Sequence, residues 1–203
     1  ACAPYRRLQL CNKNLENINK YDNTKAKNDL LAEVCMAANY EAQSLIPYHD
    51  KYKQSNEDSQ LCTVLARSFA DIGDIVRGKD LYGRNNRKRK QLEENLQKYF
   101  ENIYYGLSNE TNAKELQERY KDDTPDFFKL REDWWSLNRE TVWKAMTCSE
   151  HLKNSAYFRP TCGDSESPSQ ARNKCRCDDG DVNIVPTYFD YVPQYLRWFE
   201  EWA

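Results

Sequence analysis

The chain has 203 residues, 31% of them charged, with 30 Lys and Arg against 32 Asp and Glu for a formal net charge of -2. That length allows one large domain or two small subdomains with real cores. The near balance of charge excludes a general nucleic-acid binder and confines any anion site to a local patch, while 13% aromatic residues exclude a disordered chain.

Gly (6) and Pro (7) are scarce, which disfavours an all-β sandwich with many turns. Helical periodicity dominates instead. From Lys25 to Lys53, Leu30, Leu31, Val34, Cys35, Ala38, Ala42, Leu45 and Ile46 recur at three- and four-residue steps, which puts them on one helix face. Pro47 is expected to kink or end this helix. A second helix is predicted from about Leu61 to Val76, with Leu61, Leu65, Phe69, Ile72 and Val76 on one stripe, and Gly78 and Gly83 mark the loop after it. A third spans about Arg87 to Leu107 and carries Leu92, Leu96, Tyr99, Phe100 and Ile103. Glu110 to Pro125 reads as a weak helix and then a polar turn. A fourth long helix is predicted from about Asp126 to Cys148, with Phe127, Leu130, Trp134, Leu137, Thr141 and Cys148 at heptad-like steps. Thr161 to Val185 is the longest loop, rich in Ser, Asp and Asn. A last helix starts near Pro193, where proline suits a first turn, and carries Tyr195, Leu196, Trp198, Phe199 and Trp202. The predicted class is all-α: a helix bundle decorated by stapled loops. The five Trp residues are expected in its core, because a bundle with few Leu, Ile and Val needs large rings to bury area.

The staples are the cysteines: Cys2, Cys11, Cys35, Cys62, Cys148, Cys162, Cys175 and Cys177. Cytosolic thiols are kept reduced, so a framework of eight points to an oxidising, extracellular setting. A zinc site needs short Cys/His spacings in two pairs, and only Cys175-Arg176-Cys177 is close. All eight are therefore expected in structural disulfides, with no metal and no cofactor. Catalysis finds no footing. His49 and His151 are the two histidines, neither in a triad or metal context, and no P-loop, nucleophile elbow or dinucleotide fingerprint occurs. Asp178-Asp179-Gly180-Asp181 reads as a turn, since it lacks the alternating oxygen ligands of a calcium loop. Asn109-Glu110-Thr111 fits the N-glycosylation pattern. No run of about 18 apolar residues exists, so no membrane contact is expected within this fragment. No signal peptide is recognisable. The chain stops at Trp202-Ala203 inside a predicted helix and is expected to be a piece of something longer.

The sharpest charge feature is Arg84-Asn-Asn-Arg87-Lys88-Arg89-Lys90, with Arg77 and Lys79 just upstream. From Arg77 to Lys98 there are eight basic and three acidic residues. The run opens a predicted helix, where the macrodipole disfavours cations. These seven residues are the candidate contact for a sulfated glycan or phosphate, against the plainer reading of a solvated charged loop.

Two long runs carry a resemblance. Ala3-Pro4-Tyr5-Arg6-Arg7 with Leu10-Cys11, the stretch from Leu61-Cys62 through Ala66-Arg67-Ser68-Phe69-Ala70-Asp71-Ile72-Gly73-Asp74-Ile75 to Gly78, Trp134-Trp135, Trp143-Lys144-Ala145-Met146, and Val192-Pro193-Gln194-Tyr195-Leu196-Arg197-Trp198-Phe199-Glu200-Glu201-Trp202 resemble a Duffy-binding-like domain. They look closest to the alpha-type domain of the malaria parasite's variant erythrocyte membrane protein family. The resemblance implies a helical fold in three subdomains. Residues 1–58 would form part of the first and 59–203 the second, with the third missing. It implies no enzymatic activity but adhesion, on the surface of infected red cells, to a host receptor or a heparan sulfate-like glycan. Antibodies and a neighbouring cysteine-rich interdomain region are the other implied partners. The rival reading is a structural spacer that positions a neighbouring receptor-binding module. The resemblance also implies that Cys62 bonds Cys177 or Cys175. Variation is implied in exposed loops, chiefly Gly78 to Arg89 and Thr161 to Asp181, which carry little burial energy.

Overall fold

The computed structural model describes residues 2–18, 25–55, 60–82, 87–109, 112–163, 166–177 and 184–202, and within these the side chains of residues 87–89 and 109 lie outside the description. Short helices α1 (Tyr5–Leu8) and α2 (Lys13–Glu16) lead into the long α3 (Ala26–Lys53), followed by α4 (Leu61–Val76) and α5 (Arg87–Gly106). Then come α6 (Ala113–Tyr120), α7 (Phe128–Met146) and α8 (Gln194–Trp202). The α class and the order of the long helices match the periodicity. The weak helix expected near residue 113 is α6, which ends in a 3-10 turn at Lys121–Asp123.

Pro47 does not end α3, which continues to Lys53. Proline removes one donor, leaving the carbonyl of Gln43 without its helical partner. Gln43 and Pro47 are both exposed, so the lost bond falls on the solvent-facing side of α3. The buried side of α3, including Leu30, Val34, Ala38 and Ala42, packs on α7 and α4. Alanines at this seam let the helix axes approach.

α4 is central rather than amphipathic. Every residue from Ser68 to Val76 is buried. Gly73 makes this possible: a Cβ there would sit 2.7 Å from the Trp135 ring. The ring of Phe69 in turn lies 5.1 Å from both Trp135 and Trp143. Such aromatic pairs add roughly 0.5–1.5 kcal/mol each beyond their area burial. α4 stops at Gly78, whose φ of +72° is the left-handed cap that glycine adopts at least cost. The last carbonyls of α4 are covered by Arg131 of α7, which donates from Nε to Val76 O at 2.6 Å and from Nη2 to Ile75 O at 3.1 Å.

α7 departs from its heptad reading. Leu137 is 71% exposed, and Thr141 and Cys148 also face solvent. The buried line is Leu130, Arg131, Trp134, Trp135, Asn138, Arg139, Val142, Trp143 and Met146. Three buried polar residues lie inside it, which a count of apolar positions cannot register. The start of α7 is closed by Asp123, whose carboxylate accepts from the amides of Lys129 (3.0 Å) and Leu130 (2.8 Å). Trp134, Trp135, Trp143 and Trp198 are in the core, whereas Trp202 is 62% exposed.

The segment from 153 to 188 is free of helix among the described residues and is held by two disulfides, Cys62–Cys175 and Cys162–Cys177. The alternative left open for Cys62 is thus Cys175. Trp143 Nε1 donates to Cys175 O at 3.0 Å, fixing the first bridge against α7. The expectation that all eight cysteines are bonded is corrected: Cys2, Cys11, Cys35 and Cys148 are thiols, their sulfurs joined to no other sulfur. Asp178-Asp179-Gly180-Asp181 lies outside the described residues.

Candidate functional site

The seven predicted cations do not form one surface. Arg77 is corrected outright, because it is 1% exposed at the end of α4. Its guanidinium pairs with Asp74 (3.0 Å) and Glu132 (3.1 Å) and donates to Gly73 O and to the carbonyl of Asp190. Glu132 is shared with Lys79, which remains half exposed. Burial alone would raise the Glu132 carboxyl, and the two cations hold it below its ordinary range. Arg84 lies outside the described residues. Arg87, Lys88, Arg89 and Lys90 form the first turn of α5, which holds no acidic residue, so the backbone arrangement expected from sequence is present. Lys90 is exposed and reaches Glu94 at a marginal 4.0 Å.

Beside this turn runs a groove of about 480 Å³ lined in part by Gly78, Asp80, Tyr82, Lys90, Glu93 and Phe128. Its carboxylates are already engaged. Asp80 accepts a two-pronged contact from the buried Arg7 (3.2 and 2.5 Å), and Glu93 pairs with Arg131. A groove walled by satisfied carboxylates is no anion pocket.

A second charged assembly, missed in the sequence, is buried under α8. Asp71 is 0% exposed. It accepts from Arg6 (2.7 Å), Arg197 (2.8 Å), Gln194 (3.1 Å) and the Trp198 indole (3.3 Å). Arg6 also forks onto Glu201 at 3.0 and 2.8 Å and meets Ser68 Oγ at 3.1 Å. The Ser68 hydroxyl in turn donates to Glu41 of α3 at 2.7 Å, and Glu41 accepts from the Cys11 amide at 2.9 Å. Asp74 pairs with Arg77 and Arg197. Asp190, also buried, holds Arg139 (2.7 and 2.8 Å) and the Trp135 indole (2.9 Å).

Burial would raise the Asp71 carboxyl, but the Arg6 and Arg197 charges overcome it and hold it below its ordinary range. At Asp74 burial prevails against Arg197 and Arg77, with Asp71 adding to the rise, and the carboxyl is pushed up to about 6. This network ties the N-terminal segment, α3, α4, α7 and α8 together. It accounts structurally for Asp71, Asp74 and Arg77 of one motif run and for Arg197 and Glu201 of the other. One signal pointed to it: Asp71, Asp74 and Arg77 at three-residue steps within an otherwise apolar helix.

Among the described residues no group of three His, Cys, Asp or Glu side chains could hold a metal ion, and no helix is long and apolar enough to cross a membrane.

The Duffy binding domain family model matches residues 1–197. All of this chain aligns with the Duffy receptor beta form of Plasmodium knowlesi at 25% identity, and with the Duffy receptor of Plasmodium vivax at 25%, spanning only 14% and 15% of their lengths. Among solved structures, it is similar to the NTS-DBL1(alpha-1) domain of Plasmodium falciparum membrane protein 1 (PfEMP1) from the varO strain. That match has 40% identity and a TM-score of 0.76, and it covers 100% of this chain and 43% of the other. A DBLbeta domain of PfEMP1 bound to ICAM-1 is similar at 30% identity and a TM-score of 0.65, covering 100% of this chain and 44% of that one. Identity is thus higher to the alpha-type structure than to the beta-type. With the match running from the first residue into α8, the chain belongs to the Duffy binding domain family.

Proposed function

We propose that this chain is part of an extracellular adhesion domain, displayed on infected red cells as part of a longer membrane-anchored protein, that binds a host receptor or a sulfated glycan. The observation that carries this reading is the likeness to PfEMP1 domains along the whole chain, one of them solved with ICAM-1 bound. The division into a first subdomain up to residue 58 and a second beyond it belongs to the same proposal. Contact with a sulfated glycan is assigned to Lys79, Arg84, Arg87, Lys88, Arg89 and Lys90, without the buried Arg77. Four cations in the first turn of a helix oppose the local dipole, and an anionic chain lying across that turn relieves the conflict.

The spacer reading has its own support. α8 leaves Tyr195, Leu196, Phe199 and Trp202 between 47% and 68% exposed, an apolar face suited to an adjoining segment. Binding to red cells and endothelial cells by the complete domain, with and without its neighbour, separates the two. The adhesion reading expects the domain alone to bind and heparinase treatment of the cells to remove the glycan share. Absence of binding until the neighbour is present overturns it in favour of the spacer.

A further inference from the structure

A cleft of about 270 Å³ lies between the turn after α4 and the start of α8. Leu81, Tyr191, Val192 and Tyr195 line it and are exposed. Asp74, Arg77, Asp190 and Gln194 also line it and are buried. These buried groups are already engaged. Asp74 pairs with Arg77 and Arg197, and Asp190 holds Arg139 and the Trp135 indole. Gln194 accepts from the Leu81 amide at 2.7 Å and donates to Asp71 at 3.1 Å and Asp80 at 2.8 Å. The Leu81 contact ties the two walls together, and the Lys79 amide donates to the Asp74 carbonyl at 2.8 Å. The Tyr191 ring lies 5.5 Å from the Arg77 guanidinium and 5.3 Å from that of Arg139. The cleft is therefore preformed, which lowers the ordering cost of binding.

Its volume falls just below the range of about 300–1,000 Å³ that encloses drug-sized ligands, and so suits a single side chain. A sugar ring would carry hydroxyls past buried groups whose hydrogen bonds are already made, and a buried hydroxyl without a partner is costly. An apolar side chain buries against Leu81, Val192 and the tyrosine rings without stranding a polar atom. Exposed tyrosines on a rigid support are also the residues that anchor protein interfaces. Lys79, half exposed in the same lining, adds a charge preference. It shares the Glu132 carboxylate with Arg77, and two cations on one anion favour a further carboxylate. We infer that the cleft receives an apolar side chain of a protein partner, and that a neighbouring carboxylate of the same partner meets Lys79. The inference rests on the adhesion reading, which makes that partner a host receptor.

The test is saturation-transfer NMR on the full chain with three probes: N-acetyl-leucine, N-acetyl-leucinamide and a methyl glucoside. Transfer to the leucine methyl groups is expected, stronger for the carboxylate than for the amide, with none to the glucoside. Tyr195→Ala, at an exposed position, should weaken N-acetyl-leucine binding about tenfold while circular dichroism shows the native fold. Lys79→Gln should leave the two leucine probes equal. No transfer to the methyl groups, equal transfer to the glucoside, or a Tyr195→Ala protein that binds like the native chain overturns the inference. Binding of the same variant to red cells and endothelial cells gives the second readout. Loss is expected, and unchanged binding removes the cleft from the receptor contact. Failure of the native chain to bind cells at all counts against the adhesion reading alone, because the saturation-transfer result still decides what the cleft accepts.

Discussion

Asp71 and Asp74 stand one turn apart in the most buried part of α4, and their ionisation pulls stability in opposite directions. Asp74 is pushed up to about 6 from an ordinary 3.8 by burial. The folded state then binds the proton more tightly than the unfolded chain, so this group's contribution falls as pH rises from about 4 to about 6. Asp71 behaves in the reverse sense. Burial disfavours its charge, but Arg6 and Arg197 hold its carboxyl below the ordinary range. Its contribution is therefore in place above the ordinary carboxylate range and is lost as pH falls through the lower folded value. Asp74→Asn mimics the neutral carboxyl and removes the first trend alone. Relative to the native protein, this variant should gain on the order of 2–3 kcal/mol in urea unfolding between pH 4 and pH 7. A difference that is flat with pH contradicts the assignment.

At the scale of elements, helix positions were legible because their apolar residues repeat at the right step. The ends of α4 and α5 fall within a residue or two of expectation, whereas α3 runs on past Pro47 to Lys53. The inward face of α7 was not legible, since Arg131 and Arg139 are buried through partners distant in sequence, while the buried Asn138 donates to the carbonyl of Trp134 one turn back. Periodicity counts hydrophobic letters, and a buried guanidinium satisfied by Asp190 looks like surface. The cysteine framework was half legible. Resemblance narrowed Cys62 to two partners, but which sulfur it meets depends on where the loop returns against Trp143. The two bridges close loops of very different size, with separations of 113 and 15 residues. Removing the longer by Cys62→Ser with Cys175→Ser should therefore cost about 5 kcal/mol, and removing the shorter by Cys162→Ser with Cys177→Ser about 3 kcal/mol. Chemical unfolding under non-reducing conditions checks the order, and equal losses would set the loop-closure account aside.

For the molecule as a whole, charge divides into two populations that sequence alone merged. Arg6, Arg7, Arg77, Arg131, Arg139 and Arg197 are drawn inside by carboxylates and carbonyls and fix the helices to one another. The turn that opens α5 carries four cations and no acidic residue, and its Lys90 is exposed. The candidate site was legible as a run of basic letters. The exclusion of Arg77 was not, because Glu132 and Asp190, which hold it, lie 55 and 113 residues away. The direct measurement is heparin elution paired with a thermal melt on two variants. Replacing Arg87, Lys88, Arg89 and Lys90 together by Ala is expected to lower the salt needed for elution and leave Tm unchanged within a few degrees. Arg77→Gln is expected to lower Tm and leave elution of the folded protein unchanged. Undiminished retention of the quadruple variant, or weakened retention of a well-folded Arg77→Gln protein, would contradict the division between charges that build the scaffold and charges that face the host.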